Sequence, residues 1–219
     1  MNSTSTQRPT RHGSSSGQPP TSWAPDPLET LEVMGHARDW ACQWAADVCA
    51  VREGRGGLTW ADVERGVLLR GGHGVGKTSF TRALARTAGL SLVEFNLPPP
   101  DTEPEPLQTL LDARWEEACA RAPALLLVNS THGELDALGA LWDRFSVHHP
   151  VVIVVAQVGG SPCAGLLRPG RIERVFEIVP PGIEALRSFV APLLSTAGVA
   201  LDDAATTEFL RSAREHLSS

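Results

Sequence analysis

The chain has 219 residues, which is enough for one α/β domain with flanking segments but too few for two full enzyme domains. Its formal net charge of −6 makes a broad electrostatic contact with nucleic acid or an acidic membrane unexpected. The longest apolar stretch falls far short of the roughly 20 residues of a membrane span, and the N-terminus lacks the apolar core of a signal peptide. The four cysteines are scattered and form no CxxC pair, as is typical of buried thiols in a reducing compartment. We therefore expect a cytoplasmic protein without nucleic-acid or membrane partners.

Two terminal regions and a central α/β region follow from composition and periodicity. Residues 1–27 are rich in Ser, Thr, Pro and Gly and offer almost nothing to bury, so we predict a disordered tail. Apolar spacing then predicts helices at 28–51, 77–87, 107–121, 133–145, 183–197 and 203–216. Short apolar runs predict strands at 66–70, 90–95, 124–128, 151–156 and 175–179. The segment 98–106 holds too many prolines to be helical.

The strands are continuous runs of Val, Leu and Ile separated by helices. This pattern predicts an α/β fold with a parallel sheet covered by helices on both faces. We expect a nucleotide-binding domain at 28–181, followed by a short helical region at 182–219.

A glycine-rich loop follows the first predicted strand and precedes a helix. It matches G-x-x-x-x-G-K-[ST] at every fixed position, and Lys77 is the only lysine in the chain. Glycines let backbone amides point at an anion, Lys77 supplies a mobile charge for β- and γ-phosphates, and Thr78 offers a hydroxyl to Mg²⁺. The alternative is a glycine loop that matches by chance. The predicted nucleotide-binding residues are Gly71, Gly72, His73, Gly74, Val75, Gly76, Lys77, Thr78 and Ser79.

Two segments together resemble a known family. Residues 66–78 resemble the "GVLLxGPPGTGKT" segment of AAA-type ATPases, and residues 167–174 resemble their "LRRPGRFDR" box. Within that family the chain looks most like the AAA modules of bacterial FtsH-type proteases, without the His-Glu-x-x-His of their zinc-protease domain. The resemblance implies a P-loop NTPase three-layer sandwich with a parallel five-stranded sheet and an incomplete helical lid. It also implies ATP and Mg²⁺ as ligands, a homo- or hetero-oligomeric ring, and an unidentified protein partner.

By the same resemblance, Arg168 and Arg171 are arginine fingers that reach the γ-phosphate bound by a neighbouring subunit. A planar guanidinium suits the charge that develops on a transferring phosphoryl group. The alternative is a Pro169-Gly170 turn flanked by solvated arginines.

Several positions depart from the family pattern. The third strand ends in Asn129-Ser130 where the family has Asp-Glu. Asn129 can still accept a hydrogen bond from an Mg²⁺-bound water but brings no charge, and Ser130 cannot act as a carboxylate base. Glu134 or Asp136 could substitute for that base, although acids in the first turn of the next helix also suit its dipole. Gln157 stands at the sensor position, where it either orients a catalytic water or simply ends a strand. After the second strand the family has an aromatic pore loop that grips substrate polypeptide, and residues 95–97 offer no clear counterpart of that aromatic.

Two functions remain open on this reading. The chain is either an AAA ATPase with hydrolysis weakened by Asn129 and Ser130, or a non-hydrolysing scaffold or regulatory partner in a mixed ring. A decayed gene product and a small kinase are further alternatives, but a kinase leaves the arginine box unexplained.

Overall fold

The computed structural model describes residues 34–98, 107–131, 135, 138–143, 150–159, 165–196, 198 and 202–218. The predicted tail at 1–27, most of the proline-rich segment and the alternative acids Glu134 and Asp136 lie outside the described residues. In the described part of the chain, no helix is long and apolar enough to cross a membrane.

A sheet of five parallel strands forms the centre of the molecule and confirms the predicted fold class. Its order is β2-β3-β4-β1-β5, so β1 lies between β4 and β5. Each strand matches a predicted one, and β3 and β4 run one or two residues further, into polar side chains. The strands are β1 (Gly66–Arg70), β2 (Ser91–Asn96), β3 (Ala124–Ser130), β4 (Val151–Gln157) and β5 (Arg174–Glu177).

Helices cover both faces of this sheet. The predicted 28–51 helix begins at His36, after Gly35 in a positive-φ conformation, and residues 28–33 lie outside the described part. Within the predicted 133–145 helix, the structure describes Leu135, which is buried outside a helix, and residues 138–143, where Gly139–Trp142 form one short helical turn. The rest of that segment lies outside the described residues. The helices are α1 (His36–Arg52), α2 (Lys77–Thr87), α3 (Leu107–Ala120), α4 (Gly139–Trp142), α5 (Ile183–Thr196) and α6 (Asp203–Ser218).

Alternation along the strands divides the core into two layers. On one face, α1 and α2 pack against alternate residues of β1, β3 and β4. The small residues Ala37, Ala41 and Ala45 bring α1 close to this layer, and Trp44 fills the space beside them. On the other face, α3 and α4 pack against the intervening residues of the same strands. Because both faces are covered, β3 and β4 are apolar along almost their whole length.

The start of β1 is held against the segment that leads into β5. The backbone N–H of Glu173 donates to the Gly66 carbonyl at 2.8 Å, and the Glu173 carboxylate accepts from the Arg65 backbone N–H at 2.6 Å. A Cβ atom at position 66 would lie 1.7 Å from the backbone oxygen of Arg171. Only glycine therefore allows this close approach of β1 to the arginine box.

The two C-terminal helices pair with each other. Arg187 of α5 donates to the Asp203 carboxylate at 3.0 Å and to the Thr207 hydroxyl at 2.7 Å, both on α6. Leu210 of α6 is fully buried. These two helices match the predicted ones, while the domain boundary near 182 stays a prediction.

The approach at Gly66 gives a stability prediction. Gly66→Ala should lower the free energy of unfolding by about 1–3 kcal/mol, because the new methyl group meets backbone that has to shift. Gly182→Ala is the matched control, since a Cβ at that position meets nothing within 4 Å. Urea denaturation of both variants beside the wild type measures the difference. Equal midpoints for the two variants would contradict this account of the β1 contact.

Candidate functional site

The glycine-rich loop lies at the carboxyl edge of the sheet, between β1 and the first turn of α2. Gly76 precedes α2 with φ 99° and Gly71 has φ 152°, conformations that glycine adopts without strain. A Cβ on Gly71 would lie 2.2 Å from the Ile178 carbonyl oxygen, and one on Gly76 would lie 2.7 Å from the Met34 methyl group. The loop is therefore fixed by backbone close to β5 and by the segment before α1. The loop leads directly into the first turn of α2, whose backbone N–H groups attract anions.

Lys77 is folded back over this loop. Its ammonium donates to the carbonyl oxygens of Gly71 at 2.8 Å and Gly72 at 2.6 Å, and the residue is only 7% exposed. Burial lowers the pKa of the Lys77 ammonium, and the charge of Glu177 partly offsets this effect. Glu177 is itself paired with Arg70 at 3.3 Å. The site thus holds a partly desolvated cation whose hydrogen bonds an incoming anion can replace.

A cavity of about 350 Å³ opens in front of Lys77. Its wall contains six of the nine predicted nucleotide-binding residues together with the carboxyl ends of β2, β3 and β4. Of the other three, Gly71 and Gly72 supply the carbonyls that hold Lys77, and the Val75 side chain is buried in the core. The lining residues are His73, Gly74, Gly76, Lys77, Thr78, Ser79, Asn96, Asn129, Ser130, Thr131, Ala156 and Val158.

The two predicted metal ligands meet on the wall of this cavity. The Thr78 hydroxyl donates to Asn129 Oδ1 at 3.3 Å, and Asn129 Nδ2 donates to Asn96 Oδ1 at 2.8 Å. Neighbouring ligands of an octahedral Mg²⁺ with bonds of 2.0–2.1 Å lie about 3 Å apart, so these two oxygens fit adjacent ligand positions. Both are neutral, however, and carboxylates are the protein ligands that Mg²⁺ usually takes.

Ser130 and Gln157 end β3 and β4 as register partners. The Ser130 side chain is buried at the cavity wall, and its Oγ has no hydrogen-bond partner among the described residues. Gln157 is fully buried and is not among the lining residues. It follows Ile153 and Val155 on the sheet face that packs against α3 and α4. The structure therefore brings Ser130, but not the proposed sensor Gln157, to the cavity.

The structure separates the two candidate arginine fingers. The Arg171 guanidinium donates to the Gly165 carbonyl at 2.9 Å and lies 3.4 Å from the Asp143 carboxylate. It also contacts Gly139 of α4 so closely that a Cβ there would lie 2.7 Å from Arg171 Nη1. Arg168 is exposed in the turn before it. Neither arginine lines the cavity of its own chain, and Arg171 joins the turn to α4.

A second cavity, of about 440 Å³, lies on the other side of the loop. Its apolar walls come from the segment before α1 and from β5 with the residues that follow it. The loop connects the two cavities, since Gly76 approaches Met34 and Gly71 approaches Ile178. The lining residues are Met34, Gly35, His36, Ala37, Val175, Phe176, Glu177, Ile178 and Val179.

Neither the contribution of Asn96 to the site nor the second cavity was predicted from the sequence. Asn96 had a detectable signal, because it follows an apolar-alternating strand whose parallel neighbours end at the same sheet edge. The residues from Met34 to Ala37 carry no such signal, since only the packing of α1 brings them to the loop. The FtsH-type likeness remains a prediction from sequence.

Comparison with known proteins supports the family assignment. No family model matches the chain. It is 31% identical over 206 residues to the human ATPase family gene 2 protein homolog B, a match covering 82% of this chain but 26% of that protein. The mouse protein of the same name is 39% identical over 104 residues, covering 44% of this chain and 13% of the mouse protein. The rat protein is 42% identical over 82 residues, covering 35% and 10%.

The chain thus spans about a quarter of the human relative that it matches. This homology, together with a parallel sheet that carries a glycine loop at its carboxyl edge, supports an AAA ATPase-like domain.

Proposed function

We propose that this chain binds ATP with Mg²⁺ in the phosphate-loop cavity and hydrolyses it slowly. The observation that carries the proposal is Lys77, a buried ammonium held by two loop carbonyls beside the paired oxygens of Thr78 and Asn129. An ammonium in this position needs only a small movement to exchange the carbonyls for phosphate oxygens. The homology to ATPase family gene 2 protein homolog B supports the same ligand.

The glycine-rich loop, the first turn of α2 and Lys77 each contribute to phosphate binding. The N–H groups in the first turn of α2 meet phosphate oxygens with the positive end of the helix dipole. Lys77 neutralises the outer phosphates, and Thr78 with Asn129 would hold Mg²⁺ through hydroxyl and amide oxygens. When bound, Mg²⁺ would spread the charge that develops on the phosphates during transfer.

The second cavity is our proposed site for the purine base. Its walls are mainly apolar, from Met34 and Ala37 on one side and Val175 and Val179 on the other. Both cavities have volumes in the range of small-molecule pockets, roughly 300–1,000 Å³. A nucleotide that spans the loop would place its phosphates at Lys77 and its base against β5.

Slow hydrolysis follows from the residue at the base position. Ser130 has no carboxylate to take a proton from the attacking water, and loss of a general base costs about 10²–10⁴ in rate. Gln157 is fully buried and does not line the cavity, so we assign it no contact with the nucleotide. The described cavity wall thus keeps the groups that bind phosphate and holds no carboxylate that could activate water.

A non-hydrolysing role in a ring is the second candidate, and Arg168 favours it. Its side chain is exposed and stands away from the cavity of its own chain. In a homo- or hetero-oligomeric ring, such a chain can bind ATP and offer Arg168 to a neighbour without hydrolysing its own nucleotide.

The first test measures ATP affinity and turnover on the same purified chain. We expect binding that Lys77→Ala abolishes, together with slow turnover that stays above the Lys77→Ala background. Calorimetry and a phosphate-release assay give the two quantities. Fast Mg²⁺-dependent turnover by the wild type would contradict slow hydrolysis, and absence of ATP binding would contradict the nucleotide site.

Restoring the missing carboxylates extends this test. Asn129→Asp with Ser130→Glu should raise turnover by about 10²-fold or more, because it supplies a charged metal ligand and a general base. The matched control adds Lys77→Ala to the same pair and should show no gain. Unchanged turnover in a double variant that folds and binds ATP would show that the general base is supplied elsewhere.

Arg168 is predicted to act on a neighbouring subunit. In the restored background, Arg168→Ala should lower turnover about 10³-fold without loss of stability, because the exposed guanidinium makes no described contact within its chain. Mixing Arg168→Ala chains with Lys77→Ala chains should recover part of the turnover, since the second chain lends its finger to the first. Arg171→Ala is the contrast and should lower the melting temperature. No recovery on mixing would exclude action across a subunit boundary.

The Lys77 pKa makes ATP affinity pH-dependent. Burial lowers this pKa below 10.5 in the free site, whereas bound phosphate favours the charged form and raises it again. ATP affinity should therefore fall as pH rises from neutral to alkaline, beginning below 10.5. Calorimetry across this range measures the fall, and Lys77→Arg, which keeps its charge, should give weaker but flatter binding. A wild-type profile as flat as that of Lys77→Arg would contradict the proposed contact.

A further inference from the structure

We propose that the Asn96–Asn129 amide pair lets this site bind ATP with little dependence on Mg²⁺. The inference rests on the proposed function, since it concerns the same nucleotide site. It starts from the two amides at the ends of β2 and β3, which hydrogen bond to each other on the cavity wall.

The charge of the cavity is the first support. Among its described lining residues there is no carboxylate, and Lys77 carries the only permanent charge. Glu177, which acts on Lys77 from outside this wall, is paired with Arg70. A carboxylate at the metal position repels phosphates until a cation lies between them. Asn129 removes that repulsion, so the phosphates meet a net positive wall even without metal.

The hydrogen bonds of the amide pair are the second support. Asn129 now turns its Oδ1 to Thr78 and its Nδ2 to Asn96 Oδ1. If both amides rotate by half a turn, Asn96 Nδ2 donates to Asn129 Oδ1 and the bond between them is kept. Asn129 Nδ2 then faces Thr78 and the cavity, where it can donate to a phosphate oxygen. The pair can thus offer an oxygen to a cation or an N–H to an anion without losing its internal bond.

Asn129→Asp is the nearly isosteric variant that tests the charge. Its carboxylate and the phosphates are like charges a few ångströms apart at an intermediate dielectric constant, so metal-free ATP binding should weaken by about tenfold or more. Asn129→Ala is neutral but has no donor, so metal-free binding should weaken by about fivefold, the value of one hydrogen bond. The two variants therefore separate the effect of charge from the effect of the amide.

The experiment measures ATP affinity by calorimetry in excess Mg²⁺ and in excess EDTA, with melting temperatures as folding controls. We expect wild-type affinity to differ by less than about threefold between the buffers, and Asn129→Asp affinity by at least about tenfold. A wild-type loss in EDTA as large as that of Asn129→Asp would overturn the inference and leave the nucleotide site intact. Absence of binding in both buffers, or binding that survives Lys77→Ala, would overturn the proposed function and this inference with it.

Discussion

The arrangement of the site depends on one buried cation. Lys77 lies at the junction of the loop and α2, where water is largely excluded and its ammonium is held by the carbonyls of Gly71 and Gly72. A compact ammonium on a flexible stem fits between two carbonyls, whereas the planar guanidinium of arginine needs a wider fork of acceptors. This explains why a chain that uses arginine at every other permanently basic position keeps lysine here. The helix, the loop and the first cavity meet at that contact.

Most of the fold could be predicted because its elements are coded locally. Strands buried on both faces read as unbroken apolar runs, and β1, β3 and β4 fall within two residues of their predicted ends. The 133–145 segment was harder to predict, because its apolar residues follow helical spacing, whereas among its described residues Leu135 is not helical and Gly139–Trp142 form the helix. Leu135 and Leu138 are buried by tertiary contacts there, and burial alone satisfies the same pattern.

The site was predictable only where a motif fixes the geometry. The loop, Thr78 and Asn129 follow from sequence because a strand, a tight turn and a helix leave the backbone few alternatives. The positions of Arg171 and Gln157 depend on which way a side chain turns from a loop or strand end. Arg171 contacts Gly165 and Asp143 of its own chain, and Gln157 is fully buried and does not line the cavity. Those orientations follow from the packing of α4 and β4, which no local pattern encodes.

The polar residues at the sheet edge bear differently on nucleotide binding and on hydrolysis. Phosphate binding needs positive charge and donors, which Lys77 and the first turn of α2 supply without help from the strands. In the proposed mechanism, hydrolysis needs a carboxylate at the end of β3, where this chain has an amide and a hydroxyl. Under the proposed function, the neutral Asn129 avoids a charge that would oppose an anion, and Ser130 stands where a carboxylate would activate water. On this proposal, both residues favour nucleotide binding over hydrolysis.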